Sequence, residues 1–260
     1  VRKLTFTGST PVGKALTKQC ADTLKRTSME LGGNAPVIVF EDADLDAAVA
    51  GAAASKYRNS GQTCICVNRV LVQDTIYDAF VDKLTELVAT FKVGNGMDAE
   101  TTHGPVVNVQ AVADIDELVQ DALGAGATAT IGGGPGDQGP CFYDMTVLTN
   151  VTTDMRVYRE EIFGPVAPVF KFSTEEEAIA MANDTEFGLA SYLYTRDIGR
   201  AWRVSEGIEY GMVGVNEVAI TSDVIPFGGV KESGQGREGS KYGCDDYLEV
   251  KYICMGGLDS

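Results

Sequence analysis

The sequence predicts an α/β fold: an open, mainly parallel sheet with helices on both faces. Three observations predict it. Strand-length apolar runs alternate with longer segments whose apolar residues recur at helical spacing. The run Val37-Ile38-Val39-Phe40 is continuously apolar, as a strand covered on both faces is. The chain has 260 residues, 44% of them hydrophobic, which is enough to fill one large core.

Taken in order, residues 3–7 read as a short strand, Gly8-Ser9-Thr10-Pro11-Val12-Gly13 as a turn, and 14–25 as a helix with Ala15, Leu16, Cys20 and Leu24 on one face. A strand, a Gly-Ser-Thr turn and a helix put backbone N–H groups and a helix dipole where a phosphate binds, although an ordinary βα turn has the same outline. After the strand at 37–40, Glu41-Asp42-Ala43-Asp44 supplies acidic N-cap chemistry to an Ala-rich helix over 45–58, with Gly61 as its C′ residue. A strand at 70–72, helices over 75–91 and 109–124, and a strand over 127–131 follow. Gly132-Gly133-Gly134-Pro135-Gly136-Asp137 lacks the strand-to-helix setting of a nucleotide loop and reads as a surface turn. The second half continues with a strand at 166–172 and a helix at 174–183, opened by Thr174 with Glu175, Glu176 and Glu177 in its first turn. A strand at 189–194, a helix at 197–206 and a strand at 212–215 come next. A glycine-rich loop spans 216–236, and 247–255 closes the chain as an alternating strand.

Composition narrows the function classes. The net charge is -16 and the pI about 4.4, so the surface repels phosphate backbones and anionic lipids. No nucleic-acid partner and no membrane association are expected, and no stretch approaches the ~18 apolar residues of a membrane span. Six cysteines at irregular spacing do not make a secreted disulfide scaffold. A reducing compartment, the cytoplasm or the mitochondrial matrix, is expected. Cys64-x-Cys66 stands too isolated for a zinc half-site, so no metal is expected. His103 is the single histidine and reads as a solvent-facing loop residue. The chain opens at Val1, directly in a strand, as part of a longer polypeptide would.

Four stretches carry chemistry. In Asn59-Ser60-Gly61-Gln62-Thr63-Cys64-Ile65-Cys66 a cysteine sits on a Gly-bearing turn between a helix and a strand. Read alone, Cys64 is either a presented nucleophile or an ordinary half-buried thiol. In Met29-Glu30-Leu31-Gly32-Gly33-Asn34-Ala35-Pro36 a carboxylate has apolar neighbours, which makes Glu30 either a base of raised pKa or a surface residue in a turn. Glu160-Glu161-Ile162-Phe163-Gly164-Pro165 offers an acceptor and a ring on a turn. Pro226-Phe227-Gly228-Gly229-Val230-Lys231, with Ser233 to Gly239, is a glycine loop suited to a substrate mouth.

In this order, Phe6-Thr7-Gly8-Ser9-Thr10, Glu30-Leu31-Gly32-Gly33, Gly61-Gln62-Thr63-Cys64, Glu161-Ile162-Phe163-Gly164-Pro165 and Pro226-Phe227-Gly228-Gly229 resemble the aldehyde dehydrogenase superfamily nearly end to end. Met29–Pro36, the Cys64-x-Cys66 pair and the segment from Arg237 to Tyr252 resemble the succinate-semialdehyde dehydrogenases within it. The resemblance implies NAD or NADP as cofactor and a small semialdehyde as substrate. It implies Cys64 as the nucleophile that forms a thiohemiacetal and then a thioester, and Glu30 as the base for hydrolysis. It places Gly8 and Ser9 at the cofactor pyrophosphate, Leu31 at the nicotinamide, Glu161 on the ribose hydroxyls and Phe163 against the nicotinamide end. Arg58 and Ser222 match positions that contact the distal carboxylate; by itself Arg58 also reads as a helix C-terminal residue satisfying carbonyls. Cys66, two residues from the nucleophile, suggests a reversible disulfide. Arg26, Arg237 and Glu249 match a structural charge network. The terminal strand implies a homodimer or homotetramer.

The resemblance also implies what is missing. Family members are roughly twice as long, and the oxyanion Asn, the lysine at the adenosine ribose and one further substrate-side Arg would lie upstream. Residues 1–31 are expected to be a remnant of the cofactor-binding domain, 32–232 the catalytic domain, and 233–260 a return to the cofactor side with the oligomerisation strand. Succinate semialdehyde is the first substrate expectation, with glutarate semialdehyde and 4-aminobutanal as alternatives. The competing class is a truncated, non-catalytic subunit with a structural role in an assembly. The 260 residues alone are expected to be inactive.

Overall fold

A computed structural model describes residues 1–257 and divides their strands between two sheets. In the smaller one, β1 (Lys3–Thr7) leads through helix α1 (Thr10–Ala21) to β2 (Arg26–Glu30), which lies parallel to β1. The chain then builds the larger sheet from β3 (Ala35–Val39), α2 (Leu45–Tyr57), β4 (Val67–Gln73), α3 (Tyr77–Val88), α4 (Val109–Gly124), β5 (Thr128–Ile131) and β6 (Thr146–Thr149). It continues through α5 (Arg156–Arg159), β7 (Val166–Phe172), α6 (Glu175–Asn183), β8 (Ala190–Tyr194), α7 (Ile198–Gly207) and β9 (Met212–Val215). A two-residue strand, β10 (Gly234–Gln235), returns to the smaller sheet antiparallel to β2. The larger sheet has the order β5-β6-β7-β4-β3-β8-β9, and only the β5–β6 pair is antiparallel.

Period-two alternation sends successive side chains to opposite faces. Val37, Val39, Val70, Val72 and Val169 pack on one face with Ala48 and Ala52 of α2 and Phe80 and Leu84 of α3. Ile38, Phe40, Leu71, Phe170 and Leu193 pack on the other with Ala178 of α6 and Val204 of α7, while α4 covers Leu148 and Val166. Burial on both faces explains the uninterrupted apolar run at 37–40. Side-chain caps start the helices where the sequence places them: Asp44 accepts from the Ala47 N–H, Thr174 from Glu177, and Asp197 from Gly199.

Four expectations need correction. Helix α1 begins at Thr10, because Pro11 suits the first turn, and it ends at Ala21. Leu24 lies beyond it at φ 49° and is exposed, so it shares no buried face. Gly61 is not the C′ residue of α2: the helix stops at Tyr57, and Arg58 turns out at ψ 129°. His103 is half-buried, its ring 4.4 Å from that of Phe91, and burial lowers its pKa. The terminal segment 247–255 forms no strand. A strand needs a paired edge, none among the described residues reaches it, and its apolar side chains Val250 and Tyr252 stand exposed. Strands β2 and β6 escaped sequence reading because Arg-Thr-Ser-Met-Glu and Thr-Val-Leu-Thr are short and polar at the ends; long-range pairing buries them.

One polar group ties the large sheet together. Arg69 of β4 is fully buried, and its guanidinium donates to the carbonyls of Asn34, Met181 and Ala182 and to the Tyr210 hydroxyl at 2.8–3.2 Å. All these acceptors are neutral, so hydrogen bonds rather than an ion pair hold the charge. Arg69→Met strands several buried acceptors at once. It is expected to cost about 3 kcal/mol or more, read as a lower urea midpoint at unchanged slope; a loss below about 1 kcal/mol would contradict this role.

Candidate active site

The loop between α2 and β4 is held in an unusual backbone. A 3-10 turn covers Arg58–Gly61, with Asn59 at φ 50°, Ser60 at φ 54° and Gly61 at φ 78°. Three successive left-handed residues persist only when their surroundings enforce them. Asn59 and Gln62 exchange side-chain to backbone bonds at 3.2 and 2.9 Å, and the Gln62 carbonyl oxygen Oε1 accepts from the Val107 N–H at 2.8 Å. The Ser60 hydroxyl donates to the Gly104 carbonyl at 2.8 Å. A Cβ on Gly61 would collide with the Gly164 carbonyl, and one on Gly33 would stand 2.5 Å from the Cys64 carbonyl oxygen. The turn carrying Cys64 is thus wedged between the Gly32-Gly33 turn and the Glu161–Pro165 turn, backbone against backbone.

Glu30 ends β2, with 5% of its surface exposed, and its Oε2 has no hydrogen-bond partner among the described residues. Its other oxygen lies 2.9 Å from where a Cβ on Gly228 would stand. Burial, then the Glu238 charge, push the Glu30 carboxyl up to about 8, against the pull of Arg237. The Cys64 thiol is half-buried and is pushed up to about 11, first by burial, then by Glu161 and Glu30; its own backbone N–H opposes this. Cys64 therefore lies within range of the charges of both Glu161 and Glu30.

Glu161 accepts from the Gly33 N–H at 3.0 Å, and a Cβ on Gly32 would be 2.6 Å from its Oε2. Burial raises its carboxyl to about 7, opposed by the Gly33 N–H and by Lys56. Sequence reading missed Lys56. It is fully buried on α2, and burial lowers its ammonium to about 8 against the pull of Cys66 and Glu161. The available signal was its position: Lys56 follows the buried Ala52 and Ala53 by four and three residues, on the same helix face.

The other expected residues fall into three places. On the small sheet, the Gly8 N–H donates to the Glu30 carbonyl at 3.0 Å, exposed Ser9 is the N-cap of α1, and the Leu31 side chain packs against Gly13. Phe163, beside Glu161, is held at φ 50° and is partly exposed. Arg58 and Cys66 line a cavity of about 160 Å³ beyond the cysteine turn, with Ser55, Thr63, Tyr192 and Val218. The Cys66 sulfur is 2.5 Å from the Thr63 hydroxyl oxygen and also reaches the Arg58 carbonyl. Ser222 is not brought to that cavity: it is exposed, its hydroxyl faces the Asp223 carboxylate, and Val218 and Ala219 line the wall in its place. The charge network is also divided. Arg26 meets Glu249 at 3.7 Å, whereas Arg237 donates to the Gly229 and Gly236 carbonyls and faces Glu30. Among the described residues no cluster of His, Cys, Asp and Glu could hold a metal ion, and no helix is long and apolar enough to cross a membrane.

The family model "Aldehyde dehydrogenase family" matches residues 1–253. A 3-sulfolactaldehyde dehydrogenase of Pseudomonas putida is 59% identical over 259 residues, covering 100% of this chain and 53% of that protein. A glutarate-semialdehyde dehydrogenase of Pseudomonas aeruginosa is 58% identical over 99% of this chain and 53% of its own length. The crystal structure of succinate-semialdehyde dehydrogenase from Burkholderia pseudomallei superposes with a TM-score of 0.97 at 58% identity, over 98% of this chain and 53% of that one. The chain spans about half the length of the curated relatives it matches.

The buried carboxyl of Glu30 makes stability depend on pH. Its folded pKa of about 8 lies above its ordinary 4.5, so the folded state holds the extra proton between those values. Its contribution is complete below about pH 4.5, falls as pH rises, and levels off above about 8. Wild-type stability relative to Glu30→Gln is therefore expected to decline across that window by on the order of 3 kcal/mol, measured by urea unfolding at several pH values. Parallel curves for the two proteins would show that Glu30 is not desolvated.

Proposed function

The chain belongs to the aldehyde dehydrogenase family, and from that premise we propose that it serves the NAD- or NADP-dependent oxidation of a short, anionic semialdehyde to the corresponding acid. The observation that carries this reading is the wedging of Cys64 within electrostatic range of Glu30 and Glu161, with Arg58 in the adjoining cavity. Cys64 attacks the aldehyde carbon through sulfur, giving a thiohemiacetal whose oxygen the Cys64 backbone N–H can meet. The thiol rests protonated, so attack requires that its proton leave, and an ionised Glu30 is the nearby acceptor. After hydride loss the substrate is a thioester on Cys64; Glu30 releases the thiol's proton to solvent and then takes a second proton from the water that hydrolyses the thioester. That step needs ionised Glu30, so it should quicken as pH rises toward about 8.

NAD(P)+, when bound, would accept the hydride and supply a positive charge to the site. The residues present fit a dinucleotide. Gly32 lies against the Glu161 carboxylate and the Thr10 hydroxyl at the start of α1, which gathers an acceptor for ribose hydroxyls and a helix N-terminus for a phosphate. In this reading Gly8 and Ser9 meet the pyrophosphate, Leu31 and Phe163 the nicotinamide end, and Glu161 the ribose hydroxyls. Residues 1–31 and 233–260 belong to the cofactor side and 32–232 to the catalytic side. Arg58 pairs with the far anion of the substrate. Succinate semialdehyde is the first choice; glutarate semialdehyde and a sulfonated aldehyde, named in the relatives, share the same anionic end. An aminoaldehyde would set a cation against Arg58 and is the poorer fit. Ser222 would have to move to contribute. The exposed apolar segment around Tyr247–Ile253 suits pairing with a second copy, in a homodimer or homotetramer, in the cytoplasm or mitochondrial matrix.

In the natural polypeptide that carries this chain, Cys64→Ser is expected to abolish aldehyde oxidation. Arg58→Ala is expected to raise KM for succinate semialdehyde about 10–100-fold while leaving that for an uncharged aldehyde of similar length within about threefold. Equal effects on both aldehydes would remove Arg58 from recognition. Residues 1–260 alone should show negligible turnover, since losing a single oxyanion donor costs roughly 10²–10³ in rate; ordinary enzyme rates from that piece would refute this and the non-catalytic reading together. The nearness of Cys66 to Cys64, which feels its charge, motivates a redox role, checked by mass mapping after mild peroxide. Oxidation of Cys64 without any Cys64–Cys66 linkage would exclude it.

A further inference from the structure

Two buried side-chain amides stand behind Glu161. Asn68 of β4 is 3% exposed and Asn34, just before β3, is 0% exposed. The Asn68 Nδ2 donates to the Glu160 carbonyl at 3.0 Å, and its Oδ1 accepts from the Ile162 N–H at 3.1 Å. Those groups belong to the two peptide units on either side of the Glu161 Cα. A carbonyl only accepts and an N–H only donates, so the amide has one allowed orientation. A single side chain thus holds both peptide planes that set the Glu161 backbone.

Asn34 completes the clamp. Its Oδ1 accepts from the Asn68 Nδ2 at 2.8 Å, and its Nδ2 donates to the Tyr158 carbonyl at 3.0 Å. On its N-terminal side, the Gly33 N–H holds the Glu161 carboxylate at 3.0 Å. The segment 161–164 lies in no helix or strand and contains Phe163 at φ 50°. Side-chain amides therefore supply the order that secondary structure does not. Buried amides with all partners met are rigid, and removing one leaves its partners unsatisfied.

We propose that Asn68, oriented by Asn34, is a positioning residue for Glu161 and through it for the ribose of the dinucleotide. This rests on reading Glu161 as a cofactor contact. Asn68 touches neither Cys64 nor the Arg58 cavity by any hydrogen bond among the described residues, so the two halves of the site should separate in experiment.

The test uses the natural polypeptide carrying this chain and its Asn68→Ser and Asn34→Ser variants. NADH and NADPH affinity is measured by fluorescence titration, and cofactor-independent hydrolysis of p-nitrophenyl acetate reports Cys64. Asn68→Ser is expected to weaken dinucleotide binding about tenfold or more while ester hydrolysis per titrated thiol stays within about twofold. Asn34→Ser, which leaves the Asn68 bonds to Glu160 and Ile162, should weaken binding by a smaller factor in the same direction and serves if Asn68→Ser does not fold. Unchanged binding in a folded variant overturns the proposal, as does a parallel loss of binding and ester hydrolysis. A wild-type protein that binds neither dinucleotide overturns the family reading of Glu161, and the proposal with it.

Discussion

The close approach of backbone to backbone at two glycines is the constraint on which the rest of the site depends. Gly33 lies against the Cys64 carbonyl, and Gly61 against the Gly164 carbonyl. These contacts bring three turns, far apart in the chain, within the thickness of a peptide unit. Any side chain at either position would push the Cys64 turn away from the carboxylates that flank it. The left-handed run Asn59-Ser60-Gly61 is the local cost of that packing, and the bonds from Gln62 and Ser60 offset it.

Once the turns are wedged together, burial governs the chemistry. Glu30, Glu161 and Cys64 lose water in the same small volume, and desolvation is the leading cause of all three upward shifts. Burial favours the neutral form of each. Lys56 is a buried cation in this neighbourhood, as Arg69 is, and its charge favours the ionised form of Glu161.

Much of this was legible in the residues. The strands at 166–172 and 212–215 and the helix at 109–124 fall where periodicity put them, because buried faces repeat at short range. Thr174 and Asp44 cap their helices through bonds spanning three residues. The apolar neighbours of Glu30 in the sequence allowed either a raised pKa or a surface turn, and burial at the end of β2 decided between them. Other features were not legible. His103 looked like a loop residue until Phe91 was found against its ring. Leu24 matched a helical face by spacing, yet the chain had already turned to a left-handed residue there. The segment 247–255 alternates like a strand, but alternation does not supply an edge to pair with.

By itself the sequence determined the alternation of strands and helices, the caps, and the set of residues able to do chemistry, Cys64 and Glu30 foremost. These depend on periodicity and on bonds between near neighbours. Only the tertiary structure decided which of those residues share a site and in what protonation state. Asn68 meets Ile162 across 94 positions, and Gly33 meets Glu161 across 128. Desolvation is a property of such assembled surroundings, and no local pattern records it.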